Sequence, residues 1–142
     1  MDSAQSDRES EPQIAVKQVI AERDGIEECW NIAWLVRNLG RYPMRILSVR
    51  LPHGQFKSEE RRFEPAMDLN GGEEVQFRTF VRCDEPAGLV TENAFVIFCL
   101  TWLGEPWRIF VRLRVVVNSD GKPETATELI TTQKVGFSGV PS

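Results

Sequence analysis

The sequence contains little of what most catalytic and metal centres are built from. Its 142 residues include a single histidine, His53, and three cysteines, Cys29, Cys83 and Cys99. No two cysteines have the Cys-x-x-Cys spacing that organises a zinc site, and neither a nucleophile elbow nor a phosphate-binding loop is present. His53 lies in a Pro-His-Gly turn, where we expect it to be solvated. We therefore predict a protein that is not an enzyme, has no catalytic residues and binds neither a metal ion nor a cofactor.

Long apolar runs are also missing. No stretch approaches the roughly 18 apolar residues that a membrane helix needs, and residues 1–12 have no apolar core like that of a secretory signal. We expect a cytoplasmic protein without membrane contacts, whose cysteines remain free thiols. The alternative for the cysteines is a bond between Cys29 and Cys99, which would leave Cys83 unpaired.

The composition is nevertheless that of a folded protein. Apolar residues make up 42% of the chain and charged residues 27%, which predicts a packed globule and not a disordered chain. A chain of this length forms one ordinary domain.

Charge is unevenly distributed along the chain. The net charge of −4 combines −5 over residues 1–28, +2 over residues 29–117 and −1 over residues 118–142. Of the 17 basic residues, 13 are arginine, which is the better residue for bidentate and stacked contacts. An acidic N-terminal arm therefore precedes a mildly basic body, and it could lie over that body and compete with a partner.

Apolar residues alternate with polar ones in several segments, which is the pattern of half-buried β-strands. In the segment from Trp107 to Val117, alternate residues are apolar, and residues 94–103 are apolar on both faces, as expected of a central strand. In the segment from Met44 to Leu51, the pattern places Leu47 on the inner face and Ile46 on the outer one. Residues 55–62 are charged and predict an exposed loop. The candidate strands are 14–20, 29–38, 44–51, 63–69, 74–82, 94–103 and 107–117.

These segments predict an all-β fold, an antiparallel β-sandwich of about seven strands with a flexible N-terminal arm and a C-terminal tail. The predicted boundaries are 1–12 for a disordered acidic arm, 13–118 for the sandwich and 119–142 for the tail. The tail is more apolar than a plain linker, so it is either an added strand or a segment that docks on another sheet edge.

Two short motifs carry a family resemblance. Residues 34–43 end a strand in the pattern Val-x-Asn-x-Gly-x-x-Pro, and residues 69–75 form a glycine-bearing turn that leads into a strand. Over residues 14–117 the chain resembles the immunoglobulin-like sandwich modules of bacterial proteins, such as the CARDB-type domains. The resemblance implies a binding or scaffold module, although a fold alone does not give a function.

One strand face carries the candidate site. Arg108, Phe110, Arg112 and Arg114 alternate with the apolar residues of the last predicted strand, and we expect few acids beside them. If the strands follow the immunoglobulin order, Arg50 joins the same surface. We predict that this face and Phe137 of the tail bind a protein partner.

The predicted function is a non-enzymatic protein-binding module, a small accessory subunit or adaptor. The alternative is a ligand- or nucleic-acid-binding sandwich that uses the same arginine-rich face. A second candidate surface is the turn between Trp102 and Trp107, two residues that either pack on each other across the hairpin or leave one ring exposed.

Overall fold

Alternating apolar and polar residues form eight β-strands in the computed structural model, which describes residues 9–25, 29–52 and 54–135. The prediction of an all-β antiparallel sandwich is confirmed, with eight strands in place of about seven. Among the described residues no helix has the length and apolar character needed to cross a bilayer. The strands are β1 (Ile14–Arg23), β2 (Cys29–Asn38), β3 (Met44–Leu51), β4 (Ser58–Leu69), β5 (Glu74–Arg82), β6 (Val90–Trp102), β7 (Glu105–Val117) and β8 (Pro123–Lys134).

The strands form two antiparallel sheets. A small sheet has the order β1-β2-β5, and a large sheet has the order β4-β3-β6-β7-β8. Strand β6 lies between β3 and β7, which explains why residues on both of its faces are apolar. The order also places β3 and β7 in the same sheet, separated only by β6.

Aromatic side chains fill the space between the sheets. Phe77 of the small sheet meets Phe98 of the large sheet in an edge-to-face contact, with ring centroids 5.9 Å apart. Trp34 is fully buried, and its indole N–H donates a 2.9 Å hydrogen bond to the Thr79 hydroxyl on the neighbouring strand. The predicted burial of Trp30, Ile32, Trp34 and Val36, and of the apolar face of β7, is confirmed.

Both lateral edges of the sandwich are bridged. On one side Gln18 of β1 bonds to β8, because its amide accepts from the Thr125 N–H and donates to the Pro123 carbonyl. On the other side Lys57 forms an antiparallel bridge with Arg82 of β5. The two outer sheet faces are therefore the broad surfaces that remain exposed.

The predicted faces of β3 are wrong at Ile46 and Leu47, because the register shifts between Ile46 and Ser48. The extra residue, Leu47, reverses the alternation, so Ile46 is buried and Leu47 is 38% exposed. Beyond the shift, Arg50 pairs with Ile97 on the outer face of the large sheet. Sequence alternation cannot reveal such a shift, because the partner strand determines where it occurs.

Three predicted boundaries also change. Residues 58–62 of the predicted loop belong to β4, since pairing with β3 places even this charged segment in the sheet. Residues 9–12 of the predicted arm contact the sandwich, where the Glu9 carboxylate accepts a 2.9 Å hydrogen bond from the Arg41 N–H. In the tail, residues 123–134 form the added strand β8.

Candidate functional site

The candidate site lies on the outer face of β7. Ile109, Val111 and Leu113 point into the core, so the residues between them point outward. Arg108 and Arg114 are exposed, while Phe110 and Arg112 are half-buried. β7 pairs with β6 on one side and β8 on the other, and the alternation of its burial pattern is unbroken from Arg108 to Arg114, which fixes the direction of all four side chains.

Strand register brings Arg50 to the same face. Arg50 pairs with Ile97, Ile97 pairs with Phe110, and Phe110 pairs with Thr131 of β8. Residues directly opposite each other in antiparallel strands have their side chains on the same face. The five predicted partner-binding residues within the described part of the chain, Arg50, Arg108, Phe110, Arg112 and Arg114, therefore share one surface.

The sequence analysis missed the apolar part of this surface. Phe95 of β6 and Leu129 of β8 lie on either side of Arg112, because both pair with it. Leu129 is 48% exposed, whereas Ile97 is almost covered, with 5% exposed. Phe95 and Ile97 belong to the apolar run of β6, which predicted a central strand. The run did not predict which residues of β3 and β7 lie beside them on the outer face. We call the surface formed by Arg50, Phe95, Ile97, Arg108, Phe110, Arg112, Arg114 and Leu129 the arginine face.

Acidic side chains neutralise only part of the arginine face. Arg114 forms an ion pair with Glu92, with Nε 3.3 Å from the carboxylate, so this arginine is compensated. Arg50, Arg108 and Arg112 have no carboxylate within ion-pair distance among residues 9–25, 29–52 and 54–135. The face thus keeps an excess of positive charge in a chain whose net charge is −4.

Arg112 is unusual among these arginines because its Nε is buried. That N–H has no acceptor in the part of the chain that the structure describes. A covered donor without an acceptor costs about 1–3 kcal/mol. Arg112 therefore lies in register between Phe95 and Leu129 with one hydrogen-bond donor unused among the described residues.

The remaining predictions about the site have separate outcomes. Phe137 lies outside the described residues. Within the acidic segment 1–28, residues 14–23 form β1 in the small sheet, where Glu22 forms an ion pair with Arg78. This part of the segment therefore does not cover the arginine face. At the hairpin, the rings of Trp102 and Trp107 pack edge to face with centroids 5.7 Å apart, which is the packed one of the two alternatives.

The cysteines lie in three different environments. Cys29 pairs with Arg82 in the small sheet and Cys99 pairs with Arg108 in the large sheet, and all three cysteines are free thiols. Burial, with Glu85 and Asp84 nearby, raises the pKa of Cys83 to about 11, so its thiol stays protonated at neutral pH. His53 is outside the described residues, and the described ones contain no group of three potential metal ligands.

Comparison with protein-family models and with curated proteins finds no match for this chain. The arginine face is therefore interpreted from its own chemistry. Guanidinium groups bind carboxylates and phosphates, and half-buried aromatic and aliphatic side chains favour contact with an apolar group. Both kinds of contact are available on neighbouring residues of one sheet face.

Proposed function

We propose that this protein is a non-enzymatic, immunoglobulin-like module of the cytoplasm that binds another protein through its arginine face. In this role it acts as a small subunit or adaptor of a larger assembly. The observation that carries the proposal is the row from Arg50 through Ile97 to Phe110. This row joins cationic and apolar side chains from three strands into one surface.

The composition of the arginine face supports a protein partner. Arginine and aromatic residues are enriched among the side chains that dominate binding energy at protein interfaces. A surface that served only to stay hydrated would not need Phe110 and Leu129. Among the described residues three of its arginines have no carboxylate partner, which adds a preference for a partner of opposite charge.

Strand order supports the immunoglobulin-like part of the proposal. In the seven-stranded form of that fold the third, sixth and seventh strands share one sheet, and the first, second, fourth and fifth share the other. Six of these strands are grouped in the same way here, whereas β4 lies beside β3 in the large sheet and β8 is an additional edge strand. The order matters for the proposal because it brings Arg50 onto the same sheet face as the arginines of β7, with only β6 between the two strands.

The test is a differential capture experiment. Immobilised wild-type protein is incubated with an extract of its own host, next to the double variant Arg108→Glu/Arg112→Glu. Lys17→Glu/Arg37→Glu is the matched control, since it reverses two charges on exposed residues of the small sheet. We expect a protein that the wild type and the control retain and that the arginine-face variant loses.

Two results would contradict the proposal. One is a bound protein that the Arg108→Glu/Arg112→Glu variant retains as well as the wild type does. The other is capture that nuclease treatment abolishes, which would indicate the alternative of nucleic-acid binding. Circular dichroism of all variants checks that each one is folded.

A further inference from the structure

The spacing of side chains on β7 restricts what the arginine face can bind. Arg108, Phe110 and Arg112 stand two residues apart on an uninterrupted strand. Successive outward side chains are therefore about 6.7 Å apart, at ~3.3–3.4 Å per residue. The order along the strand is cationic, apolar, cationic.

An extended polypeptide has the same repeat, since every second side chain points to one side. When such a segment lies along β7, its facing residues meet Arg108, Phe110 and Arg112 in turn. Phe110 pairs with Ile97 and Thr131, and the exposed Leu129 lies two residues from Thr131 on β8, so an apolar side chain fits opposite Phe110. The residues on either side of it meet guanidinium groups.

Charge determines which residues fit opposite the arginines. Arg108 and Arg112 have no carboxylate partner within the described ranges. A carboxylate is the protein group that accepts two parallel hydrogen bonds from a guanidinium. Arg114 is already paired with Glu92, so no third acid is required.

We propose that the arginine face binds an extended segment of a partner protein with the pattern acidic-x-apolar-x-acidic. This inference rests on the proposed function and specifies its partner. The carboxylates bind Arg108 and Arg112, and the apolar side chain packs on Phe110. A single-stranded nucleic acid would place phosphates against the arginines and stack a base on Phe110, so an oligonucleotide is included among the probes.

The experiment titrates the full-length, nitrogen-15-labelled protein with short synthetic peptides. The first probe is acetyl-Thr-Glu-Thr-Leu-Thr-Glu-Thr-amide. The second has the same composition in the order Thr-Glu-Glu-Leu-Thr-Thr-Thr, and the third replaces both glutamates by glutamine. An oligothymidylate is the fourth probe. NMR spectra report the backbone amides of β7 and the side-chain Nε–Hε groups of the arginines.

We expect the first peptide to shift the Nε–Hε signals of Arg108 and Arg112 and the amide of Phe110. Affinity for the reordered and glutamine peptides should be about tenfold lower, because each loses one or both ion pairs. The variant Arg108→Gln should weaken binding of the first peptide, while Arg37→Gln on the small sheet should not. Arg108 is exposed, so this variant does not endanger folding.

Four results would overturn the inference: no shift with the first peptide, equal binding of the reordered or glutamine peptide, shifts confined to the small sheet, or stronger binding of the oligothymidylate. Failure here is separable from failure of the proposed function. If the capture experiment still yields a protein that depends on Arg108 and Arg112, the face binds proteins and only the predicted pattern is wrong.

Discussion

Arg50 of β3 and Phe110 of β7 lie in one row across the large sheet, because Ile97 of β6 is in register with both. The row places a charge, a covered aliphatic side chain and an aromatic ring next to one another. It makes the outer side of Phe110 part of a surface, whereas Phe98 of the neighbouring strand β6 points into the core. That contrast gives the first prediction.

Phe98→Ala should mainly lower stability, whereas Phe110→Ala should mainly reduce partner capture. Phe98 is fully buried and contacts Phe77, so its truncation should lower the free energy of unfolding by about 3–5 kcal/mol. Phe110 is half-buried on the outer face, and its truncation should cost about 1 kcal/mol or less while reducing partner capture. Urea unfolding and the capture assay measure the two effects. A loss of stability of similar size in both variants would argue against Phe110 as a surface contact.

Thr79→Val should destabilise the protein through Trp34. Valine has nearly the shape of threonine but cannot accept the 2.9 Å hydrogen bond from the indole N–H. A buried donor without an acceptor costs about 1–3 kcal/mol. Thr79→Ser is the matched control, because it keeps the hydroxyl and removes a methyl group worth about 0.8 kcal/mol. Chemical denaturation should show the valine variant to be the less stable one, and the reverse order would refute this role for the hydrogen bond.

Gly71→Ala should be far more harmful than Gly40→Ala. A Cβ atom at Gly71 would lie 2.7 Å from the carbonyl oxygen of Gly40 and 2.8 Å from that of Arg41, two backbone atoms that cannot easily move. We expect a loss of about 1–3 kcal/mol. At Gly40 the nearest atoms belong to the flexible carboxylate of Glu9, so alanine should change stability by about 0.5 kcal/mol or less. Thermal unfolding compares the two, and equal losses would show that the contact at Gly71 relaxes.

The three thiols should react at different rates. Cys83 is buried and its pKa is raised to about 11, whereas Cys29 and Cys99 are half-buried. With an aromatic disulfide reagent at about pH 8, two thiols should react in the native protein and the third only after unfolding. Cys83→Ala should remove the slow thiol, and rapid reaction of all three in the wild type would contradict the burial of Cys83.

The same thiol should make stability fall at high pH. The pKa of Cys83 is higher in the folded state than its ordinary value of 9.0, so the folded state binds more protons between these two values. Its contribution is fully present below about pH 9 and is lost as the pH rises towards 11. Denaturation of the wild type and Cys83→Ala across this range isolates the effect, and parallel pH profiles would exclude it.

The sequence predicted the position and the inner face of those strands that bury one face and expose the other. The alternation in β5 and β7 follows their burial closely, because an inner face of apolar residues needs no knowledge of the neighbouring strand. Alternation misled for β3, where the shift at Leu47 arises from pairing with β6. It also missed the first half of β4, whose charged residues show no apolar face.

Of the candidate site, the sequence predicted the part that lies on one strand. Arg108, Phe110, Arg112 and Arg114 share a face because side chains alternate along any β-strand. Their neighbours Phe95 and Leu129 could not be predicted, since cross-strand partners depend on register. The pairing of Arg114 with Glu92 was likewise hidden, because the two residues lie on different strands.

The sequence by itself determined the all-β class, the buried faces of β2, β5 and β7 and the outward arginines of β7, because these follow from short-range alternation and composition. Only the tertiary structure decided that Arg50 joins them, that Phe95, Ile97 and Leu129 add apolar side chains, and that three arginines lack a carboxylate partner among the described residues. The physical reason is that a surface on a sheet is assembled across strands by hydrogen-bond register. In this way Arg50 and the arginines of β7 form one face, although the chain as a whole is acidic.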